Sequence, residues 1–165
     1  MIEFQLSVED KATIFDEACR RQAVNEKRKL RGRNGAPSRG GGSLGLHLLG
    51  ATGELVVARI LSVDHLLFAD NVPRRGSSDL ANIEVKTRSN HKYDLLIQLD
   101  DDRHKSFVLV TMAEERIFVH GWIPGDEAME EKRIREYAQG RPCYAVPQEA
   151  LRPIGELLDQ FASFC

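Results

Sequence analysis

The chain of 165 residues is 42% hydrophobic and 29% charged, the composition of one ordinary globular domain that is long enough to bury a core. Its 23 lysines and arginines against 25 aspartates and glutamates give a formal net charge of −2, which excludes a uniformly basic nucleic-acid coat protein. Cys19, Cys143 and Cys165 are widely spaced, so we expect free thiols in a reducing cytoplasm rather than a zinc site. We expect no signal peptide and no membrane span, because no run approaches the roughly 18 apolar residues that a span needs.

A long helix with a basic end is predicted near the N-terminus. Residues 1–6 form a short extended lead-in, and Ser7 with the acids that follow it is typical of a helix start. Apolar residues at helical spacing then predict a helix over about residues 8–30. Two interpretations of its basic end stay open, a solvated helix terminus and an arm that contacts phosphates. The arm would bind through Arg28, Lys29, Arg31 and Arg33.

Residues 32–43 are the one low-complexity stretch, and their Gly, Pro and Ser content predicts a flexible loop. The stretch lacks the Gly-Lys-Ser/Thr ending of a phosphate-binding P-loop and follows no predicted strand. We therefore predict two parts, an N-terminal helix with its glycine-rich loop over residues 1–43 and an α/β domain over residues 44–165.

The segment over residues 44–61 predicts a mostly buried helix whose small residues permit close packing. Glu54 is its only acid, and an unpaired carboxylate on so apolar a helix would be expensive to bury. Glu54 therefore either lies at a solvent edge, or pairs with Arg59, or points toward a shared polar centre.

The second half of the chain predicts a sheet with two helices. The most apolar strand, over residues 107–112, is expected at the centre of the sheet. Residues 89–92 predict a turn and residues 100–105 a charged hairpin loop. Helices are expected from Asp126 to about residue 138 and from Pro147 through Phe161. The remaining strands are predicted over residues 65–69, 83–87, 93–99, 116–123 and 144–146.

An acid-x-Lys tripeptide in a β pattern is the candidate centre of the chain. On the strand that begins at Ile83, Glu84 and Lys86 point to the same face, and Asp79 precedes them across a probable tight turn. Two further acid-x-Lys tripeptides lie in predicted polar helices, where exposed surface charge explains them. The alternative for the β tripeptide is a structural ion pair between Glu84 and Lys86, with Asp79 as a turn residue.

These residues resemble the signature of the PD-(D/E)xK nuclease superfamily: a helix with Gly53-Glu54, then Asp79, then Glu84-Val85-Lys86. The resemblance covers roughly residues 44–123. It implies a restriction-endonuclease-like α/β fold, in which a strand meander contributes to a mixed sheet flanked by helices, here with an N-terminal helical arm. Two features depart from the pattern, because Ser78 stands where proline is usual and only four residues separate Asp79 from Glu84.

The resemblance implies a metal-dependent DNA endonuclease, and the chemistry of the residues agrees with it. Phosphodiester hydrolysis needs a hard cation, and Mg²⁺ (or Mn²⁺) needs only one or two carboxylates because it keeps several waters. Asp79 and Glu84 would supply these carboxylates, with the carbonyl of Val85 as a third ligand. Lys86 would position the attacking water or stabilise the phosphate, and Glu54 would hold a second metal or a metal-bound water.

Partners and origin follow as expectations. Arg74, Arg75, Arg88 and His91 are near enough in sequence to contact phosphates, although residues of these types are more often simply solvated at the surface. We expect DNA as the partner, with RNA left open, and a homodimer. Residues 121–125 and 144–147 resemble stretches of phage-type proteins, which implies a host cytoplasm as the location. The alternative function is a catalytically inactive nuclease-fold protein that acts as a phage nucleic-acid-binding or assembly module.

Overall fold

The structure is a computed structural model that describes residues 1–27, 42–62 and 82–162. The chain forms two compact units, one comprising Met1–Phe4 with Asn71–Cys165 and the other Gln5–Asp70. The first unit contains the sheets and the second contains two long helices. The predicted division after residue 43 does not coincide with these units, because the two long helices pack against each other.

The helical unit consists of α1 (Val8–Lys27) and α2 (Gly42–Leu61), as the helical spacing predicts. The predicted extension of α1 to residue 30 lies outside the described residues. Ile14 of α1 packs against Ala51 and Leu55 of α2, with Leu6 and Leu48 at the rim of this cluster. The burial of these apolar side chains is what holds the helix pair together.

The start of α1 is fixed by a reciprocal cap. Asp10 Oδ2 accepts hydrogen bonds from Ser7 N at 3.0 Å and from Ser7 Oγ at 2.8 Å, while Asp10 N donates to Ser7 Oγ at 3.0 Å. The other carboxylate oxygen, Oδ1, accepts from the Arg59 guanidinium of α2 at 3.0 and 3.1 Å. Burial alone would raise the pKa of Asp10, but the bonds from Ser7 and Arg59 outweigh it and lower that pKa.

Replacing Asp10 by asparagine is therefore expected to lower the free energy of unfolding by about 1–2 kcal/mol at pH 7. A carboxylate whose pKa is lowered in the folded state stabilises that state at pH values above its unfolded pKa of about 3.9. This stabilisation is lost as the pH falls through the folded pKa. The difference between wild type and variant should thus shrink on acidification below pH 4. Urea unfolding at neutral and acidic pH measures it, and a difference independent of pH would contradict this role of Asp10.

The expectation that no run approaches a membrane span in length and composition does not hold for helix α2. Its window Leu44–Leu61 has a mean hydropathy of 1.5 and meets the length and composition of a membrane span, although 44% of it is buried inside the protein. The core helix of a soluble protein has the same properties, and α1 packs along this one. The window therefore indicates a core helix at least as well as a span.

The larger sheet is mixed and has the strand order β1-β5-β4-β2. Its strands are β1 (Ile2–Phe4), β2 (Ile83–Arg88), β4 (Ser106–Ala113) and β5 (Arg116–Pro124). β2 runs parallel to β4, and β5 runs antiparallel to both β4 and β1. The prediction that the most apolar strand is central is confirmed, because β4 lies between β5 and β2 with five consecutive buried residues.

The smaller sheet is antiparallel and has the order β3-β7-β6, formed by β3 (Leu95–Gln98), β7 (Arg141–Val146) and β6 (Ile134–Ala138). A core cluster joins the two sheets: Leu95 and Ile97 of β3 are fully buried together with Phe107 and Leu109 of β4. The chain is thus a mixed α/β protein with a mixed sheet, as predicted.

The prediction of a hairpin loop over residues 100–105 is wrong. A hairpin would pair β3 with β4, but β3 pairs with β7 and β4 pairs with β2 and β5. The strands after β2 therefore do not form a simple meander. The prediction of a strand over residues 93–99 is confirmed by β3, but its pairing partner depends on tertiary packing that local sequence does not encode.

The helix predicted from Asp126 to about residue 138 is also wrong. The structure has only a short helix α3 (Gly125–Ala128), a 3-10 turn at Glu131–Arg133, and then β6. β6 pairs with β7 across a tight turn at Gly140, which has φ = 72°, a conformation that glycine adopts at little cost. Every residue of β6 is exposed, so no alternation of burial distinguished the strand from a polar helix.

The C-terminal helix, α4 (Ile154–Ala162), begins later than predicted, after Pro153 rather than at Pro147. The segment between them makes a 3-10 turn over Gln148–Ala150 and a backbone bridge in which Trp122 N donates to Arg152 O at 3.0 Å. Gly121 makes this close approach possible, because a Cβ there would lie 2.3 Å from Arg152 O and its φ is +152°.

Candidate functional site

Strand β2 places Glu84 and Lys86 on one face of the mixed sheet. Both side chains are partly buried, and Lys86 Nζ lies 3.2 Å from Glu84 Oε1. The predicted pairing on one strand face is present because side chains two residues apart on a strand share a face. Val85 lies between them with its side chain on the other face.

Asp101 joins Glu84 and Lys86 in a cluster of charged side chains. The sequence analysis missed this residue. Its Oδ2 lies 2.7 Å from Lys86 Nζ and accepts a hydrogen bond from Gln98 N at 2.9 Å. The hydrogen bond from Gln98 N closes a turn, because Gln98 is the last residue of β3 and Asp101 follows it by three residues. The sequence predicts only a charged hairpin loop here, whereas the fold turns the side chain of Asp101 inward.

Lys105 is the fourth member, and it approaches Glu84 from the turn that immediately precedes β4. Its Nζ lies 3.1 Å from Glu84 Oε2, so each carboxylate oxygen of Glu84 contacts a different lysine. The backbone around Lys105 is held on two sides. Ser106 N donates to Asn82 O at 2.6 Å, and Gly125 N donates to Lys105 O at 2.8 Å. A Cβ on Gly125 would lie 2.8 Å from Lys105 O, so this approach requires glycine.

The cluster has a buried end and an accessible end. The side chains of Asp101 and Lys86 are 5% and 16% exposed, whereas those of Glu84 and Lys105 are 28% and 29% exposed. The two carboxylates and two ammonium groups cancel in formal charge. Glu84 and Lys105 are therefore the more accessible pair, and Asp101 is the most buried member of the four.

Replacing Asp101 by asparagine is expected to lower the free energy of unfolding by about 1–3 kcal/mol, because Lys86 loses its buried counter-charge. Asp126→Asn is the matched control, since Asp126 pairs with Arg103 at an exposed site and should change stability by no more than about 0.5 kcal/mol. Urea unfolding of the two variants measures the difference. Equal stabilities would show that the Asp101–Lys86 contact does not contribute.

Glu54 lies on α2 in the helical unit, and its partner there is Arg21 of α1. Arg21 Nη1 donates to Glu54 Oε1 at 3.1 Å, and Arg21 Nη2 contacts Glu54 Oε2. Arg21 Nε also donates to Glu17 Oε1 at 2.6 Å. The interpretation that Glu54 pairs with Arg59 is wrong, because Arg59 binds Asp10 instead. A role for Glu54 in a metal centre stays a prediction.

The predicted nucleic-acid contacts fall mostly outside the described residues. Of the described ones, Arg88 lies on β2 with its guanidinium carbon 4.9 Å from the centre of the Tyr93 ring. Both ring nitrogens of His91 are engaged within the protein, at 2.8 Å from Thr111 Oγ1 and 3.1 Å from Ala113 O. His91 is therefore hydrogen-bonded within the fold, and a phosphate contact by it stays a prediction. Outside the described residues lie Arg28, Lys29, Arg31, Arg33, Arg74 and Arg75.

Only some of the ligands predicted for a divalent cation lie within the described residues. Glu84 offers hard carboxylate oxygens at the accessible end of the cluster, the donor type that Mg²⁺ and Mn²⁺ take. Asp79, the other predicted carboxylate, lies outside the described residues. Within residues 1–27, 42–62 and 82–162, no three His, Cys, Asp or Glu side chains come together as a metal site. Both oxygens of Glu84 contact lysines instead, so a cation at Glu84 stays a prediction.

No protein-family model matches the chain, and no curated protein and no solved structure matches it. The assignment to a nuclease superfamily therefore stays a prediction that rests on the residues themselves.

Proposed function

We propose that the protein is a metal-dependent endonuclease that hydrolyses phosphodiester bonds in DNA, with a restriction-endonuclease-like fold around the Glu84–Lys86 cluster. The observation that carries the proposal is the convergence of two lysines on one accessible carboxylate at the edge of a mixed sheet. A carboxylate for a cation beside two ammonium groups for a phosphate is the set of charges that phosphodiester hydrolysis requires.

Each residue then has a defined task. Glu84 and Asp79 hold the cation, with the carbonyl of Val85 as a further oxygen ligand. The chemistry that Mg²⁺ would supply there is Lewis-acid activation of a water and neutralisation of charge at the phosphate. Lys86, held by Asp101 at 2.7 Å, keeps its ammonium group beside the reacting phosphate, where it stabilises negative charge. The rigid strand fixes the spacing of Glu84 and Lys86, which is why the pair is more precise on β2 than it would be on a loop.

Incubation of the purified protein with duplex, branched and single-stranded DNA tests the proposal. Cleavage is expected with Mg²⁺ or Mn²⁺ and should stop when EDTA removes the ion. RNA of the same sequences shows whether the substrate class is limited to DNA. Intact DNA in every reaction that contains a divalent ion would contradict the proposal.

A second candidate function follows from the same cluster. Because both oxygens of Glu84 contact lysines, the four charges also form a self-contained ion-pair network. The protein would then be a non-catalytic nucleic-acid-binding or assembly module that uses the basic segment over residues 20–39. This function predicts salt-sensitive DNA binding that survives Glu84→Gln and fails when the segment is removed.

A further inference from the structure

We infer that His91, Thr111 and His120 form a pH switch. The two histidines share at most one proton through the Thr111 hydroxyl, and a second proton releases the side chain of His91, which anchors the turn over residues 89–92, from β4. The turn follows β2, so the switch links the protonation of this pair to the end of the strand that carries the candidate site. The inference is independent of the proposed nuclease function.

The three side chains form one hydrogen-bonded chain across three elements. His91 Nδ1, on the turn after β2, and His120 Nε2, on β5, each lie 2.8 Å from Thr111 Oγ1. Thr111, on β4, is fully buried, so water does not reach its hydroxyl. The hydrogen of that hydroxyl therefore has to find its acceptor within the protein.

The two histidines differ in how firmly the backbone holds them. His120 is the extra residue of a β-bulge, since the register of β4 with β5 shifts between Leu109 and Val110. Bulges re-aim a side chain, and the strand pairing on both sides of this one holds His120 in place. His91 lies in a turn instead, so its side chain is the one that can leave the chain of hydrogen bonds.

The direction of each hydrogen bond follows from its acceptor. Ala113 O can only accept, and it lies 3.1 Å from His91 Nε2, so this nitrogen carries a hydrogen. In neutral His91 the other nitrogen, Nδ1, then accepts the hydrogen of the Thr111 hydroxyl. The hydroxyl oxygen in turn accepts from Nε2 of neutral His120, so each of the three bonds has one donor and one acceptor.

One added proton fits this chain, but two do not. With the proton on His91, the Thr111 hydroxyl reverses and donates to Nε2 of His120, whose own hydrogen then lies on Nδ1. With the proton on His120, the bonds keep their direction. Two protons place an N–H group on each side of the hydroxyl, whose hydrogen then has no acceptor in the chain, and put two positive charges beside one oxygen.

The surrounding charges add to the cost of the second proton. Burial, the charge of His91 and the amino group of Met1 lower the pKa of His120, against a smaller opposing effect of the Gln148 side chain. The exposed Glu3 carboxylate of β1 faces His91. The remaining charged groups beside the pair interact with Glu3 or lie next to its partner: Glu114 and Arg116.

Histidine side-chain NMR of the ¹⁵N-labelled full chain, titrated from about pH 8 to about pH 5, tests the switch because the ring nitrogens report charge and tautomer. We expect two steps of proton uptake that are separated by more than about 1 pH unit. The second step should remove the contact of the His91 ring with the Phe118 ring, whose centroids lie 4.8 Å apart.

His120→Gln is the matched variant, because an amide can donate to or accept from the Thr111 hydroxyl but takes up no proton. In this variant a charged His91 should keep its contact with Phe118. His104→Gln is the control, since His104 is exposed and lies outside the chain of hydrogen bonds, and it should behave as wild type.

Urea unfolding gives a second readout with a defined sign. A histidine whose pKa is lowered in the folded state stabilises that state above its unfolded pKa of about 6.5, and this stabilisation is lost as the pH falls through the folded pKa. Between about pH 7 and about pH 5 the urea midpoint of wild type should therefore fall more than that of His120→Gln.

Two results would overturn the switch. One is overlapping proton uptake by the two histidines, with the contact between His91 and Phe118 intact when both are charged. The other is loss of that contact in His120→Gln at the same pH as in wild type. If His120→Gln does not fold, His91→Gln places the neutral amide on the other side of the hydroxyl. Its urea midpoint should likewise fall less than that of wild type, and an equal fall would contradict the inference.

Discussion

Replacing Glu84 by glutamine is expected to lower Mg²⁺-dependent DNA cleavage by at least about 10³-fold. Glutamine has nearly the same shape and still accepts a hydrogen bond from Lys86 or Lys105, but it lacks the charge that binds a hard cation. Loss of Lewis-acid catalysis forfeits several kcal/mol of transition-state stabilisation, and about 4 kcal/mol corresponds to about 10³-fold in rate. Initial rates on the best substrate of the wild type measure the effect.

Glu130→Gln is the control for this experiment. Glu130 also pairs with a lysine, Lys132 at 2.7 Å, but at an exposed site outside the cluster, so its replacement should leave the rate unchanged. Circular dichroism and urea unfolding establish that both variants are folded. Cleavage by Glu84→Gln within about tenfold of wild type, a difference of about 1.4 kcal/mol, would show that Glu84 is no metal ligand.

Replacing Arg21 by methionine is expected to lower the free energy of unfolding by about 3 kcal/mol. The guanidinium lies between Glu17 of α1 and Glu54 of α2, and all three side chains are less than one-fifth exposed. Methionine fills similar volume but leaves two carboxylates close together without the positive charge between them. The contact also joins the two helices, so its loss weakens their packing as well as the charge balance.

The pH dependence of this loss has a defined sign. Burial alone would raise the pKa of Glu17, but hydrogen bonds from Arg20 and Arg21 outweigh it and lower that pKa. A lowered carboxylate pKa stabilises the fold above the unfolded value of about 4.3, and the contribution is lost as pH falls through the folded value. The cost of Arg21→Met should therefore decrease below pH 4.

Arg20→Met is the matched control on the same helix. Arg20 also contacts Glu17, with Nε 2.7 Å from Oε2, but it is far more exposed than Arg21 and should contribute less than about 1 kcal/mol. Urea unfolding of the two variants at neutral pH measures the difference. Equal losses of stability would contradict the view that the mostly buried Arg21 guanidinium holds the two helices together.

The sequence was a good guide wherever apolar residues repeat with a clear period. Both long helices and the buried strand β4 follow from such patterns, and Ser7 marked the start of α1. The pattern failed at β6, where all five residues are exposed and charge composition favoured a helix. It also failed for the pairing of β3 with β7, because the periodicity of a strand predicts which side chains share a face but not which strand lies beside it.

The same limit applied to the candidate site. Glu84 and Lys86 could be paired from sequence alone, because two-residue spacing on a strand places them on one face. Asp101 and Lys105 could not, since the contact of Lys105 with Glu84 depends on the parallel pairing of β2 with β4. The contact of Asp101 with Lys86 depends on the turn after β3, which directs the Asp101 side chain inward. Sequence reasoning therefore identified half of the cluster and missed the half that comes from other segments.

The central claim is that Glu84 and Asp79 together hold a divalent cation. Titration with Mn²⁺, followed by electron paramagnetic resonance of the free ion, counts the bound ions directly in wild type, Glu84→Gln and Asp79→Asn. We predict saturable binding in wild type that is lost in both variants. Binding that persists unchanged in either variant, or wild type that binds no Mn²⁺, would contradict the claim.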